Sequence, residues 1–146
     1  MNTPTFDQER YFDEAQPLAG IRVLELGTSV AAPYGTWILA VLGAEVIKVE
    51  RPNKGDDIRY WGPPFWRDSS TMFHTYNREK RSLEVDLKDP AQVDQLRQFI
   101  TDGVDVVLQN LRAGVAENAG LGAERLTSEC PRLIYCNIHD NTARFH

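Results

Sequence analysis

The sequence predicts an α/β fold built on a parallel sheet with helices on both faces, on the strength of two observations. Short apolar strands alternate along the 146 residues with segments whose apolar side chains recur at helical spacing. At least one strand is also apolar on both faces at its centre, which is typical of parallel strands covered by helices on both sides. A chain of this length is long enough for a domain with its own core.

The first half of the chain predicts a strand–helix–strand unit. Strands are expected at 21–26 and 45–50. The segment between them has apolar residues at helical spacing, and Pro33 suits the first position of that helix. Gly43 stands where a helix C-terminus favours a left-handed residue. Such a unit has a right-handed crossover almost without exception, so both strands are expected to be parallel neighbours in one sheet.

The second half continues the alternation of strands and helices. Asp89 is expected to cap a helix that has Pro90 at its first position and ends at Gly103, and residues 114–120 form a further short helix. Three strands are predicted here, at 82–87, 104–109 and 132–138. Residues 51–76, rich in proline, glycine and tryptophan, are expected to form one long loop, and long loops in compact domains are usually functional.

Composition excludes several classes of function. The net charge of −5 argues against non-specific binding of nucleic acid. The sequence has no apolar run of about 18 residues that would predict a membrane span, and its polar, acidic start does not resemble a signal peptide, so we expect a cytoplasmic protein. The two cysteines have no histidine pair near them, which makes a metal site unexpected.

The cations are distributed unevenly. Nine of the 16 lysines and arginines fall between Lys48 and Lys88. Arg51 follows a predicted strand, Lys80 and Arg81 precede one, and Arg112 follows a third. Two interpretations stay open: the strand ends could together hold a polyphosphate, or the charges could form a solvated face.

Known nucleotide-binding and catalytic motifs are missing. Gly27 follows the first strand, but the other glycines of the dinucleotide fingerprint are absent, so a nicotinamide cofactor is not expected. No serine or cysteine forms a recognisable nucleophile elbow with a histidine. The residue types therefore predict a binding platform.

Several ordered motifs nevertheless resemble the opening of class III CoA-transferases. They lie at 17–26, 43–52, 77–82, 109–114 and 131–136, and the similarity runs from about residue 17 to about residue 138. The resemblance implies a Rossmann-like domain, an interlocked homodimer, and acyl-CoA and a carboxylic acid as substrates, with CoA not bound permanently. On this basis residues 17–138 are the N-terminal CoA-binding segment, 1–16 a flexible leader, and 139–146 a divergent, truncated tail.

The resemblance also implies a set of CoA-binding residues. They are Ser29, Val30, Arg51, Lys80, Arg81, Asn110, Leu111 and Arg112. A further arginine of the family pattern is Asn118 in this chain.

The family transfers CoA through an aspartyl-CoA intermediate, a form of covalent catalysis. No aspartate here matches the catalytic one, which the family places some 20–30 residues beyond the last matched strand, and Asp140 does not take its role. We therefore expect an incomplete N-terminal part of a larger domain, truncated or split, and inactive alone. A non-catalytic CoA- or nucleotide-binding module and a fragment of an acyl-CoA racemase remain alternatives.

Overall fold

A computed structural model describes residues 16–138. The predicted leader, apart from Gln16, and the predicted tail lie outside the described residues, so both stay predictions. The strands in chain order are β1 (Arg22–Leu26), β2 (Glu45–Glu50), β3 (Phe65–Trp66), β4 (Ser69–Ser70), β5 (Lys80–Glu84), β6 (Val106–Gln109) and β7 (Ile134–Asn137). The helices are α1 (Ala31–Val41), α2 (Thr71–Asn77), α3 (Pro90–Gly103), α4 (Val115–Asn118) and α5 (Ala123–Glu129), with a 3-10 helix at Asp57–Tyr60.

The predicted parallel sheet is confirmed. Its five strands lie in the order β5-β2-β1-β6-β7 and every neighbouring pair is parallel. On one face, α3 and α5 bury a large cluster that includes Leu24, Ile100 and Leu126. On the other face, α1 packs through Leu39 and Ala40 against a smaller cluster around Val23 and Val46. Helices thus cover both faces, as the apolar strands require.

Two helix ends follow the sequence signals. The Asp89 carboxylate accepts a hydrogen bond from the Ala91 N–H, and Pro90 begins α3, as predicted. Gly43 has φ +99°, and an added Cβ would lie 2.7 Å from the Gln16 side chain, so glycine is required there. The predicted start of α1 was two residues late, because the helix begins at Ala31 and Pro33 occupies its third position.

The prediction of one irregular loop from 51 to 76 was wrong. The segment contains the 3-10 helix, the antiparallel β3–β4 pair and most of α2. These elements are short, which is why periodicity did not reveal them. The same reason explains why α5 was not predicted.

The predicted bounds of β5 were also shifted. We expected 82–87, whereas the strand spans Lys80–Glu84 because its pairing with β2 already starts at Lys80, opposite Val46. This shift places Lys80 and Arg81 inside the amino-terminal end of the strand rather than before it.

Candidate functional site

A cleft of about 1300 Å³ opens at the carboxyl end of the sheet. The strand order reverses between β1 and β6, and ligands of open α/β sheets bind at the carboxyl ends of the strands at such a switch point. The cleft is lined by the segments that follow β1, β2, β5 and β6, together with the first turns of α3 and three residues of α4.

Asn110 joins the two strand ends at the switch point. Its Oδ1 accepts the Thr28 N–H at 2.9 Å, and its Nδ2 donates to the Thr28 carbonyl at 3.0 Å. The Asn110 side-chain amide thus pairs with the backbone N–H and carbonyl of Thr28 as the backbone of a neighbouring strand would. Gly27 allows the close approach, since a Cβ there would lie 3.0 Å from Asn110 Oδ1 and 2.4 Å from the Ala32 Cβ.

Ser29 lies in the same turn, in a backbone conformation that most residues avoid. Its φ is +67°, which costs a non-glycine residue on the order of 1 kcal/mol. The buried carboxylate of Asp56 holds the turn in place, because its Oδ1 accepts the Ser29 N–H at 2.9 Å. Asp56 also accepts the Ile58 N–H at 3.1 Å, so it fixes the start of the 3-10 helix beside the cleft.

A buried group of ion pairs is centred on Glu25, which has no exposed surface. Its carboxylate contacts Lys48 Nζ at 2.6 Å, Lys80 Nζ at 2.8 Å and Thr36 Oγ1 at 2.6 Å. Lys48 also contacts Asp56 at 2.8 Å, which links this group to the Ser29 turn. Burial lowers the pKa of Lys80 to about 8, although the charge of Glu25 opposes that shift.

Another buried carboxylate, Glu50, lies at the end of β2. Burial alone would raise its pKa, but hydrogen bonds from Arg59, Ser82 and the Asp56 N–H lower it to about 2. Arg59 binds it in a bidentate manner, through Nε and Nη2 at 2.7 Å each. Glu50 also lines the cleft, where Arg59 and Ser82 hold it as an ionised carboxylate.

Five of the eight predicted CoA-binding residues line the cleft. They are Ser29, Arg51, Asn110, Leu111 and Arg112. Arg51 is half-exposed and donates to the Gly55 carbonyl and to Asp57 at 2.6 Å, and this hydrogen bond holds the pKa of Asp57 below its ordinary value. Arg112 is exposed and has no ion-pair partner among residues 16–138.

The other three lie outside the cleft lining. Val30 precedes α1 as its cap residue. Lys80 is held by Glu25, by the Pro33 carbonyl and by Asn77. Arg81 lies at the amino end of the sheet, where its Nη1 contacts Glu45 at 3.0 Å. Their roles in binding CoA stay predictions from the resemblance.

Residue patterns missed two groups that matter here. Asp56 was not singled out as a functional residue, and Lys48 was counted only as one cation of a basic stretch. The parallel register places Glu25 opposite Lys48 in adjacent strands, and this opposite-charge pair is the signal that the sequence offered. Arg97 and Arg125, which also line the cleft, carried no local signal.

The described residues contain neither a group of metal ligands nor a helix that could cross a membrane. Between residues 16 and 138, no three histidine, cysteine, aspartate or glutamate side chains are grouped to hold a metal ion. Among the same residues, every helix is too short or too polar to cross a membrane. Ser69 Oγ does lie 2.9 Å from His74 Nε2, but neither residue lines the cleft.

Together, the sheet order and the cleft at the switch point define a Rossmann-like α/β protein. Residues 18–140 match CoA-transferase family III, and the chain belongs to that family.

Known relatives are CoA-transferases. The chain is 44% identical over 126 residues to the succinyl-CoA:glutarate CoA-transferase of Mus musculus, covering 86% of this chain and 29% of that protein. It is 43% identical over 128 residues to the succinate–glutarate CoA-transferase of Agrobacterium fabrum, covering 84% of this chain and 32% of that protein. The chain therefore spans less than a third of the length of these curated relatives.

A solved structure agrees in fold. A CAIB/BAIF family protein from Brucella suis superposes with a TM-score of 0.78 at 40% identity, over 84% of this chain and 33% of the solved one. The predicted family and fold class are thus confirmed.

Proposed function

We propose that this chain is the CoA-binding part of an acyl-CoA:carboxylate CoA-transferase. The observation that carries the proposal is the cleft at the switch point, with arginines beside it at the ends of two strands. Arg51 directly follows β2, and Arg112 follows β6 by three positions. The chain's membership of CoA-transferase family III supports CoA as the ligand.

The cleft has the chemistry that the diphosphate of CoA requires. A guanidinium suits a phosphate because its donors match two oxygens at once. Arg112 is unpaired among residues 16–138, and Arg51 has one exposed carboxylate partner, which water already screens. The lysines of the buried group, in contrast, have carboxylates in contact and little access to a ligand.

Transfer itself is proposed to proceed as the resemblance implies, through an aspartyl-CoA intermediate and a carboxylic acid acceptor. No aspartate of these 146 residues matches the attacking one. We therefore propose that this polypeptide binds CoA and does not by itself exchange it between acids. Thioester exchange above the uncatalysed rate, lost on replacing one of its own carboxylates, would contradict this.

The test is a calorimetric titration of CoA against the wild type, Arg51→Ala and Lys54→Ala. The two residues form a matched pair, since both contact Asp57 Oδ1, at 2.6 Å and 3.4 Å, but only Arg51 lines the cleft. We expect micromolar-to-millimolar affinity that falls with salt, roughly tenfold weaker in Arg51→Ala and within about twofold of wild type in Lys54→Ala. Equal affinities in all three proteins, or no binding at all, would reject the proposed function.

A further inference from the structure

Two arginines from different helices converge on one glycine in the cleft wall. A Cβ at Gly120 would lie 3.0 Å from Arg125 Nη1 and 3.7 Å from Arg97 Nη1. Arg97 belongs to α3 and Arg125 to α5. Because Gly120 has no side chain, both guanidinium groups approach the same point, and all three residues line the cleft.

The two guanidinium groups are held in place by neighbouring carboxylates. Arg97 Nη2 contacts Asp94 at 2.7 Å, and the Nε atoms of Arg97 and Arg125 both face Glu129, at 3.6 Å and 3.0 Å. None of these contacts uses an Nη1 group, and neither Nη1 donates a hydrogen bond to a residue in 16–138. Two preset donors thus remain available at Gly120.

We propose that Arg97 and Arg125 form a subsite for a phosphate monoester, and that its occupant is the 3′-phosphate of CoA. This inference rests on the proposed function, because it assigns a second anionic group of the same ligand. CoA has a diphosphate and, on the ribose, a separate phosphate monoester. Gly120 follows α4, which itself follows Arg112, so the two proposed phosphate contacts lie along one continuous wall of the cleft.

The chemistry favours a phosphate over a carboxylate at this point. Near neutral pH a phosphate monoester is mostly dianionic. Its three terminal oxygens accept hydrogen bonds from several directions. Two guanidinium groups from separate helices can donate to different oxygens of one such group. Asp94 and Glu129 orient the arginines without covering the Nη1 groups.

The experiment compares CoA with 3′-dephospho-CoA, titrated calorimetrically into the full 146-residue chain. Wild type should bind CoA about tenfold more tightly than the dephospho form. Arg125→Gln should lower this preference to about threefold, and the Arg97→Gln/Arg125→Gln double variant should abolish it. Arg132→Gln is the matched control, because Arg132 is as exposed as Arg125 and pairs with Asp105 but does not line the cleft. This variant should keep the wild-type preference for CoA over 3′-dephospho-CoA.

The Glu129→Gln variant distinguishes a phosphate subsite from a purely structural contact between α3 and α5. The substitution removes the negative charge of Glu129 beside both arginines, so the positive potential at Gly120 should increase. The preference for CoA over 3′-dephospho-CoA should therefore rise about two- to threefold. A structural tie alone would lower the unfolding temperature and leave the preference unchanged.

The outcomes distinguish the two proposals. If wild type binds neither ligand, the proposed function fails. If it binds both equally, or if Arg125→Gln keeps the full preference while remaining folded, the subsite is rejected and the proposed function stands.

Discussion

The cations of this chain fall into two groups that the sequence does not distinguish. Lys48 and Lys80 have buried side chains and share one carboxylate, Glu25. Arg51 and Arg112 lie at the carboxyl ends of strands and face the cleft. The first group neutralises charge inside the protein, and the second leaves charge available to a ligand.

The difference between the groups follows from desolvation. A buried ammonium needs a carboxylate or several carbonyl acceptors, since removing it from water is costly. An exposed guanidinium keeps its hydration and can exchange water for phosphate at little cost. We therefore expect variants of the buried group to change stability, and variants of the cleft group to change binding.

The largest effect is expected from Glu25→Gln. It leaves two buried lysines without their shared carboxylate, which should lower the free energy of unfolding by about 3–5 kcal/mol in urea denaturation. The control is Glu45→Gln, because Glu45 also lies between two cations, Arg22 at 2.8 Å and Arg81 at 3.0 Å, but at the surface. Its loss should cost less than about 1 kcal/mol. Equal losses in both variants would contradict the distinction.

The second effect concerns acid. The pKa of Glu50 is lowered from 4.5 to about 2 in the folded protein, so the unfolded chain binds more protons between those values. The stabilisation from Glu50 should therefore be complete above about pH 4.5 and be lost as the pH falls towards 2, on the order of 3 kcal/mol in all. Urea denaturation across this range measures it. In Glu50→Gln, which has no group to titrate, that part of the pH dependence should disappear.

A smaller effect, on binding alone, is expected from Arg112→Ala. Arg112 is exposed and without an ion-pair partner among residues 16–138, so the unfolding free energy should change by less than about 0.5 kcal/mol. The affinity for CoA should fall about tenfold, as measured by calorimetry. If Arg112→Ala lowered the stability but not the affinity for CoA, Arg112 would be a structural residue and not a ligand-binding residue of the cleft.

The smallest effect is expected from Arg81→Gln. Its side chain is 79% exposed and lies at the amino end of the sheet, away from the cleft lining. CoA affinity should therefore change by less than about twofold. A larger loss would favour the role that the family resemblance implies for this residue.

The sequence by itself determined the alternation of strands and helices and the ends of α3. Asp89, Pro90 and Gly103 act through local geometry, because a cap and a helix terminus depend on neighbours within a few positions. The family motifs were also legible in the sequence, since they combine several residues at consistent spacing. Both kinds of information are local, which is why they could be predicted.

Only the tertiary structure decided which charged groups meet. Lys80 contacts Glu25 across 55 positions of sequence, and Asn110 contacts Thr28 across 82. The register of β5 against β2 placed Lys80 in the sheet, whereas the local pattern predicted it before the strand. Whether a cation is free for a ligand depends on burial and on partners brought by other strands, and neither property is encoded near the residue itself.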